Sequence, residues 1–176
     1  SASTTLDVNG TNLITVSAWI YPKSIGPSGS AQRIFTHSSS SNTTGQQYAL
    51  NINEYGQIYF LSGSGLFEQN GGNSGATSVI LNEWNHVAMT YDGFAIRLYM
   101  NGVLDFENYV TDNFPNTIGD FYISQRSDGA ERFDGQVDNV NVWNIALSEN
   151  EILDYMNCPP TGAEAGLVGY WNFEEG

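Results

Sequence analysis

Trp84-Asn-His-Val-Ala-Met-Thr-Tyr-Asp-Gly-Phe-Ala-Ile-Arg-Leu-Tyr-Met-Asn-Gly-Val-Leu-Asp105 is the stretch that decides the fold. Val87, Met89 and Tyr91 fall on one side of an extended chain, and Trp84, His86 and Ala88 on the other. Asp92-Gly93 then turns the chain, after which Ile96, Leu98 and Met100 alternate with Arg97, Tyr99 and Asn101. A period of two is that of a half-buried strand. Asn101-Gly102 is the strongest short hairpin signal, because a type I′ turn needs positive φ at both central residues. An antiparallel meander with one buried face is expected.

The same period extends outward in both directions. Ile14, Val16, Ala18 and Ile20 share one face of a strand over residues 14–21, with Thr15, Ser17, Trp19 and Tyr21 on the other, and Pro22 stops it. A further strand is expected over 33–38. Tyr48, Leu50 and Ile52 alternate into the core, and Tyr55-Gly56 turns the chain into a strand over 57–62. Residues 62–78, rich in Gly, Ser and Asn and holding Phe67 and Glu68, read as one long loop, a length usually functional or disordered. Strands follow over 121–125 and 133–144. Ser148 with Glu151 three residues on is a capping box, and it predicts a helix over 148–156. The last stretch, Gly166 to Gly176, reads as a strand; it either closes this sandwich in cis or opens a following module. The first is favoured, since Trp171 and Phe173 would otherwise lie on an unpaired edge. One short helix amid many strands gives an all-β fold, a two-sheet antiparallel β-sandwich of jelly-roll type with one short helix near the C-terminus.

Composition narrows the partners. Nineteen acidic residues face five basic ones, Lys23 being the single lysine, and the net charge is −14. Nucleic acid and anionic membranes need a cationic surface, so neither is expected as a partner. No apolar run is long enough to cross a bilayer, so membrane insertion is not expected. One cysteine, Cys158, and two separated histidines, His37 and His86, cannot build a zinc site.

Three segments carry a family resemblance. Thr15-Val-Ser-Ala-Trp-Ile-Tyr-Pro22 is one. Glu83-Trp-Asn-His-Val-Ala-Met-Thr-Tyr-Asp-Gly93, continuing to Leu98-Tyr-Met-Asn-Gly-Val103, is the second. Phe133-Asp-Gly-Gln-Val-Asp-Asn-Val-Asn-Val-Trp-Asn-Ile-Ala-Leu-Ser148 is the third. Together they resemble the laminin-G-like, concanavalin A-like jelly rolls of bacterial surface and secreted proteins. The resemblance implies a single domain over residues 1–176, excerpted from a larger multidomain protein that is secreted or held at the cell surface. It also implies burial of Trp84, Trp143 and Trp171.

Three kinds of chemistry occur on such a fold. Jelly-roll glucanases carry two in-phase carboxylates on one strand. Here Asp138 is expected to share its face with Gln136 and Val140, and no second carboxylate is in phase. Lyases of this fold gather Arg, His and Tyr on one face; Arg33, His37 and Tyr99 exist, without the flanking motifs. Catalysis is therefore not expected. The resemblance implies a structural calcium ion with Asp138 among its ligands, and Glu174, Asp7 and Asp134 are candidates to share it. For binding, sugar rings stack on exposed aromatic faces beside polar groups. Trp19 points away from the core face, and Trp19, Tyr21, Tyr55, Phe67 and Tyr99 are the expected ligand-binding residues. Asn9-Gly-Thr11 and Asn42-Thr-Thr44 fit the N-glycosylation pattern. The expected function is a non-catalytic extracellular recognition module for carbohydrate or a cell-surface glycoprotein. The alternatives are a structural spacer or adhesin repeat and a polysaccharide-active enzyme.

Overall fold

The computed structural model describes residues 6, 12–40, 45–63, 74–111, 113–114 and 118–174. Among these the elements run β1 (Ile14–Pro22), β2 (Gln32–Ser38), β3 (Gln46–Ile52), β4 (Gln57–Leu61), β5 (Ser74–Ser78), β6 (Asn85–Tyr91), β7 (Ala95–Met100), β8 (Val103–Tyr109), β9 (Asp120–Ile123), β10 (Gly135–Trp143), α1 (Glu149–Asn157) and β11 (Leu167–Trp171). They form a six-stranded sheet ordered β11-β10-β1-β6-β7-β8 and a five-stranded sheet ordered β5-β4-β3-β2-β9. The strands pair antiparallel within both sheets.

The period-two reading of β1, β6 and β7 describes the core. Ile14, Val16, Ala18, Ile20, Val87, Met89, Tyr91, Ile96, Leu98 and Met100 face inward against Phe35, Tyr48, Leu50, Ile52, Ile58 and Phe60 of the other sheet. The buried phenols are satisfied: Tyr48 donates to the Leu6 carbonyl at 2.9 Å and Tyr91 to that of Val110 at 3.0 Å. Asn101 and Gly102 both have positive φ, as their turn demands. The Asn101 side chain also accepts a bond from the His86 amide, fixing the start of β6.

The ends of the sandwich are tied across the two sheets. At one, Asp105 of β8 accepts bonds from the Thr77 amide and hydroxyl of β5. Gly75 lets these edges meet, since a Cβ there would lie 2.0 Å from Asp105 Oδ2. At the other, β11 pairs with β10 and completes the six-stranded sheet in cis, and its Trp171 stacks on Phe121 of β9 in the other sheet.

Two expectations are corrected here. Residues 74–78 form β5 rather than the tail of a loop: Thr77 and Ser78 pair with β4 or β8 through backbone bonds and a carboxylate, which small polar residues can do without an apolar face. The phase of β10 also changes partway. Ser17 pairs with Asn141 and Trp19 with Asp138, leaving Asn139 and Val140 opposite Ala18 alone. This is a β-bulge, with Asn139 at φ +47°, a conformation Asn tolerates. Val140 therefore turns into the core, and Asp138 does not share its face.

Helix α1 has the expected start: the Ser148 side chain accepts from the Glu151 amide, and the Glu151 carboxylate accepts from the Ser148 amide. It covers part of the outer face of the six-stranded sheet, where Ile152 and Leu147 pack with Ala88, Tyr99 and Trp143.

Candidate functional site

Helix α1 leaves the other end of that outer face open. On β1, Trp19 projects there between His86 of β6 and Asp138 of β10, its two cross-strand partners. The Trp19 and His86 rings meet edge to face, 5.4 Å between centroids. Two residues along, Tyr21 meets Trp84 in the same way at 5.6 Å. Trp19, Trp84, Asp138 and Asn139 line an open groove of about 330 Å³.

The bulge builds its polar wall. It brings Asp138 outward, where one carboxylate oxygen accepts from the Asn139 amide at 2.7 Å. The Asn139 side-chain oxygen accepts from the Tyr170 hydroxyl at 2.8 Å, so β11 holds Asn139 in place. Burial raises the Tyr170 pKa, and the Asp138 and Glu174 carboxylates raise it further. His86 packs behind Trp19. It is 3% exposed, and burial lowers its pKa to about 4, so the ring is neutral at pH 7. Among the described residues its Nδ1 has no hydrogen-bond partner.

Of the expected ligand-binding residues, Trp19 lines this groove and Tyr21 stands beside it against Trp84. Tyr55 is 68% exposed but lies at a turn of the other sheet. Phe67 lies outside the described residues. Tyr99 is corrected: it is 3% exposed, packed with Ala88, Trp143 and Ile152, so α1 takes the surface a ligand would need. Trp84 is also corrected. It was expected in the core, yet it is 43% exposed. It precedes β6, which begins at Asn85, and its place in the 84, 86, 88 series already pointed outward. Trp143 is buried, under α1 rather than between the sheets.

The expected calcium ligands are spread out. Asp138 and Glu174 both act on Tyr170. Asp134 is exposed near the other end of β10 and accepts from the Ser24 hydroxyl at 2.6 Å. Asp7 lies outside the described residues, as do both N-glycosylation patterns. Among the described residues no three carboxylate, histidine or cysteine groups converge as a metal site. The lyase-like trio is likewise dispersed: Arg33 lies on the outer face of the five-stranded sheet, His37 stacks on core Tyr48, and Tyr99 lies under α1.

The profile of the family described as the concanavalin A-like lectin/glucanases superfamily matches residues 1–153. No curated protein sequence matches. Among solved structures, a candidate carbohydrate-binding protein from Bacteroides ovatus is similar, with a TM-score of 0.74 and 22% identity. The match covers 94% of this chain and 46% of that one, so the chain spans about half its length. A heptameric pentraxin of Limulus polyphemus matches with a TM-score of 0.65 and 20% identity, over 92% of this chain and 76% of its own. Domain 4 of an extracellular arabinanase from Geobacillus stearothermophilus, in complex with arabinotriose, matches with a TM-score of 0.59 and 20% identity, over 81% of this chain and 66% of its own. At such identities the likeness is one of fold. Enzymes and a candidate binding protein share it.

Proposed function

The chain belongs to the concanavalin A-like lectin/glucanases superfamily, and from that premise we propose that it is a non-catalytic carbohydrate-recognition module of a secreted or cell-surface protein. The observation that carries this reading is the placement of Trp19 and Trp84 on one groove with Asp138 and Asn139. Indole faces offer a sugar ring apolar C–H contact, and a carboxylate with an amide beside them reads hydroxyl groups. Trp19, Asp138 and Asn139 are set by paired strands and a bulge, and Trp84 stands one residue before β6, so little ordering accompanies binding. Asp138 is the single carboxylate among the four lining residues, whereas glycoside hydrolysis uses a pair, and this favours binding over cleavage. Binding of immobilised neutral polysaccharides, with no release of reducing or unsaturated ends, is the expected result; product release would establish an enzyme instead.

Calcium is a separate, structural proposal. It is confined to Asp138 and Glu174, the two expected ligands that border Tyr170.

A further inference from the structure

We propose that the outer face of the five-stranded sheet carries a second saccharide site, centred on Arg33 and Tyr59 and selective for an uncharged sugar. It shares no residue with the Trp19 groove. Arg33, Tyr59, Tyr55, Glu54, Glu131 and the turn at Gly29 line a pocket of about 310 Å³. That is the lower end of the roughly 300–1,000 Å³ range of small-molecule sites, suited to one or two sugar rings.

The pocket is held rigidly. Arg33 is 4% exposed, with Nε donating to Glu131 at 2.6 Å and Nη1 to Gln46 at 3.3 Å. Those bonds fix the guanidinium, and among the described residues Nη2 makes no further bond. Glu131 adopts φ +49°, a costly conformation for a non-glycine residue, and its second oxygen accepts from Arg126 at 2.6 Å. On the opposite wall Glu54 accepts from the Gly29 amide at 2.7 Å, tying one turn to the next. Tyr59 is half-buried beside Arg33 and Glu131. Burial raises its pKa, Arg33 lowers it and Glu131 raises it. A phenol hydroxyl can both donate and accept.

Charge decides the class of ligand. Four of the five basic residues are arginines, and three of them, Arg33, Arg126 and Arg132, gather at this corner. Arg33 and Arg126 pair with Glu131 and Asp128, and Glu54 lines the same pocket, so three carboxylates match the three arginines here. An anionic sugar would also meet the field of a chain of net charge −14. A neutral sugar instead finds donors in Arg33 Nη2 and the Tyr59 hydroxyl, acceptors in the carboxylates, and an exposed ring at Tyr55 to stack on.

The test is an NMR titration of the whole chain, wild type and with Trp19→Ala and Trp84→Ala together. The probes are the methyl glycosides of glucose, galactose, mannose, xylose and arabinose, each added singly. At least one should shift the Gly29, Tyr55, Tyr59 and Glu131 amides in both proteins. Tyr59→Phe should weaken that response about fivefold, the loss of one hydrogen bond. Added salt should leave it unchanged. The proposal is overturned if none of the five moves these amides in the wild type, or if Tyr59→Phe has no effect. Tighter, salt-sensitive binding of methyl glucuronide would overturn it too. Because these residues line a pocket that shares none with the Trp19 groove, failure here leaves that groove standing, and failure there leaves this site standing.

Discussion

Trp171 stacks on Phe121, with ring centroids 5.1 Å apart and planes 9° from parallel. One ring belongs to the last strand of the six-stranded sheet and the other to the edge strand of the five-stranded sheet, so the pair joins the layers at the end opposite Asp105 and Thr77. Phe121 in turn stacks on Phe35, which is fully buried. The closing strand thus reaches the core through two aromatic contacts.

Truncation after Cys158 should therefore abolish cooperative unfolding, and Trp171→Ala should cost about 2–4 kcal/mol, combining lost burial with lost stacking. Urea titration followed by near-UV circular dichroism checks both. A truncated chain as stable as the whole one would show that β11 is dispensable.

At the other end, Asp105→Ala should destabilise by about 1–3 kcal/mol, because the Thr77 amide and hydroxyl lose a charged acceptor. Hydrogen exchange at the Thr77 amide is the sensitive readout, and it should speed up in the variant. An unchanged rate would mean that the bond contributes nothing to holding the edge.

His86 links stability to pH. Its folded pKa of about 4 lies below the ordinary 6.5. Between those values the unfolded chain takes up a proton that the folded chain refuses, so stability is whole above about pH 6.5 and falls as the solution is acidified towards pH 4. The loss at pH 4 is up to about 3 kcal/mol from this one ring. His86→Gln should flatten the melting-temperature profile across this window; an identical profile in the variant would remove His86 as its source.

For calcium, the expected outcome is a rise in melting temperature with millimolar calcium, reversed by chelator and absent in Asp138→Asn. No shift in the wild type would discard the metal.

Alternation carried the fold because the inward series of β1, β6 and β7 is uninterrupted, and the capping box at Ser148 and the turn at Asn101-Gly102 are local chemistry. The bulge at Asn139 was not legible, since a left-handed residue within a strand leaves no periodic trace, and with it went the face of Asp138. Trp84 was readable from the outward 84, 86, 88 series, which outweighs the burial implied by family resemblance. Tyr99 also lies on an outward series, but alternation says nothing of a helix later in the chain that covers it. The Arg33 pocket is assembled from three turns far apart in sequence, so no spacing announces it.

The central claim is that sugars bind across Trp19 and Trp84. Its most direct test follows the indole N–H signals of the wild-type chain during titration with neutral oligosaccharides such as arabinotriose, xylotriose and cellotriose. The Trp19 and Trp84 signals should move together while buried Trp143 stays fixed, and Trp84→Ala should weaken that binding about tenfold or more. Indole signals that stay in place, or unaltered affinity in Trp19→Ala and Trp84→Ala, would contradict it.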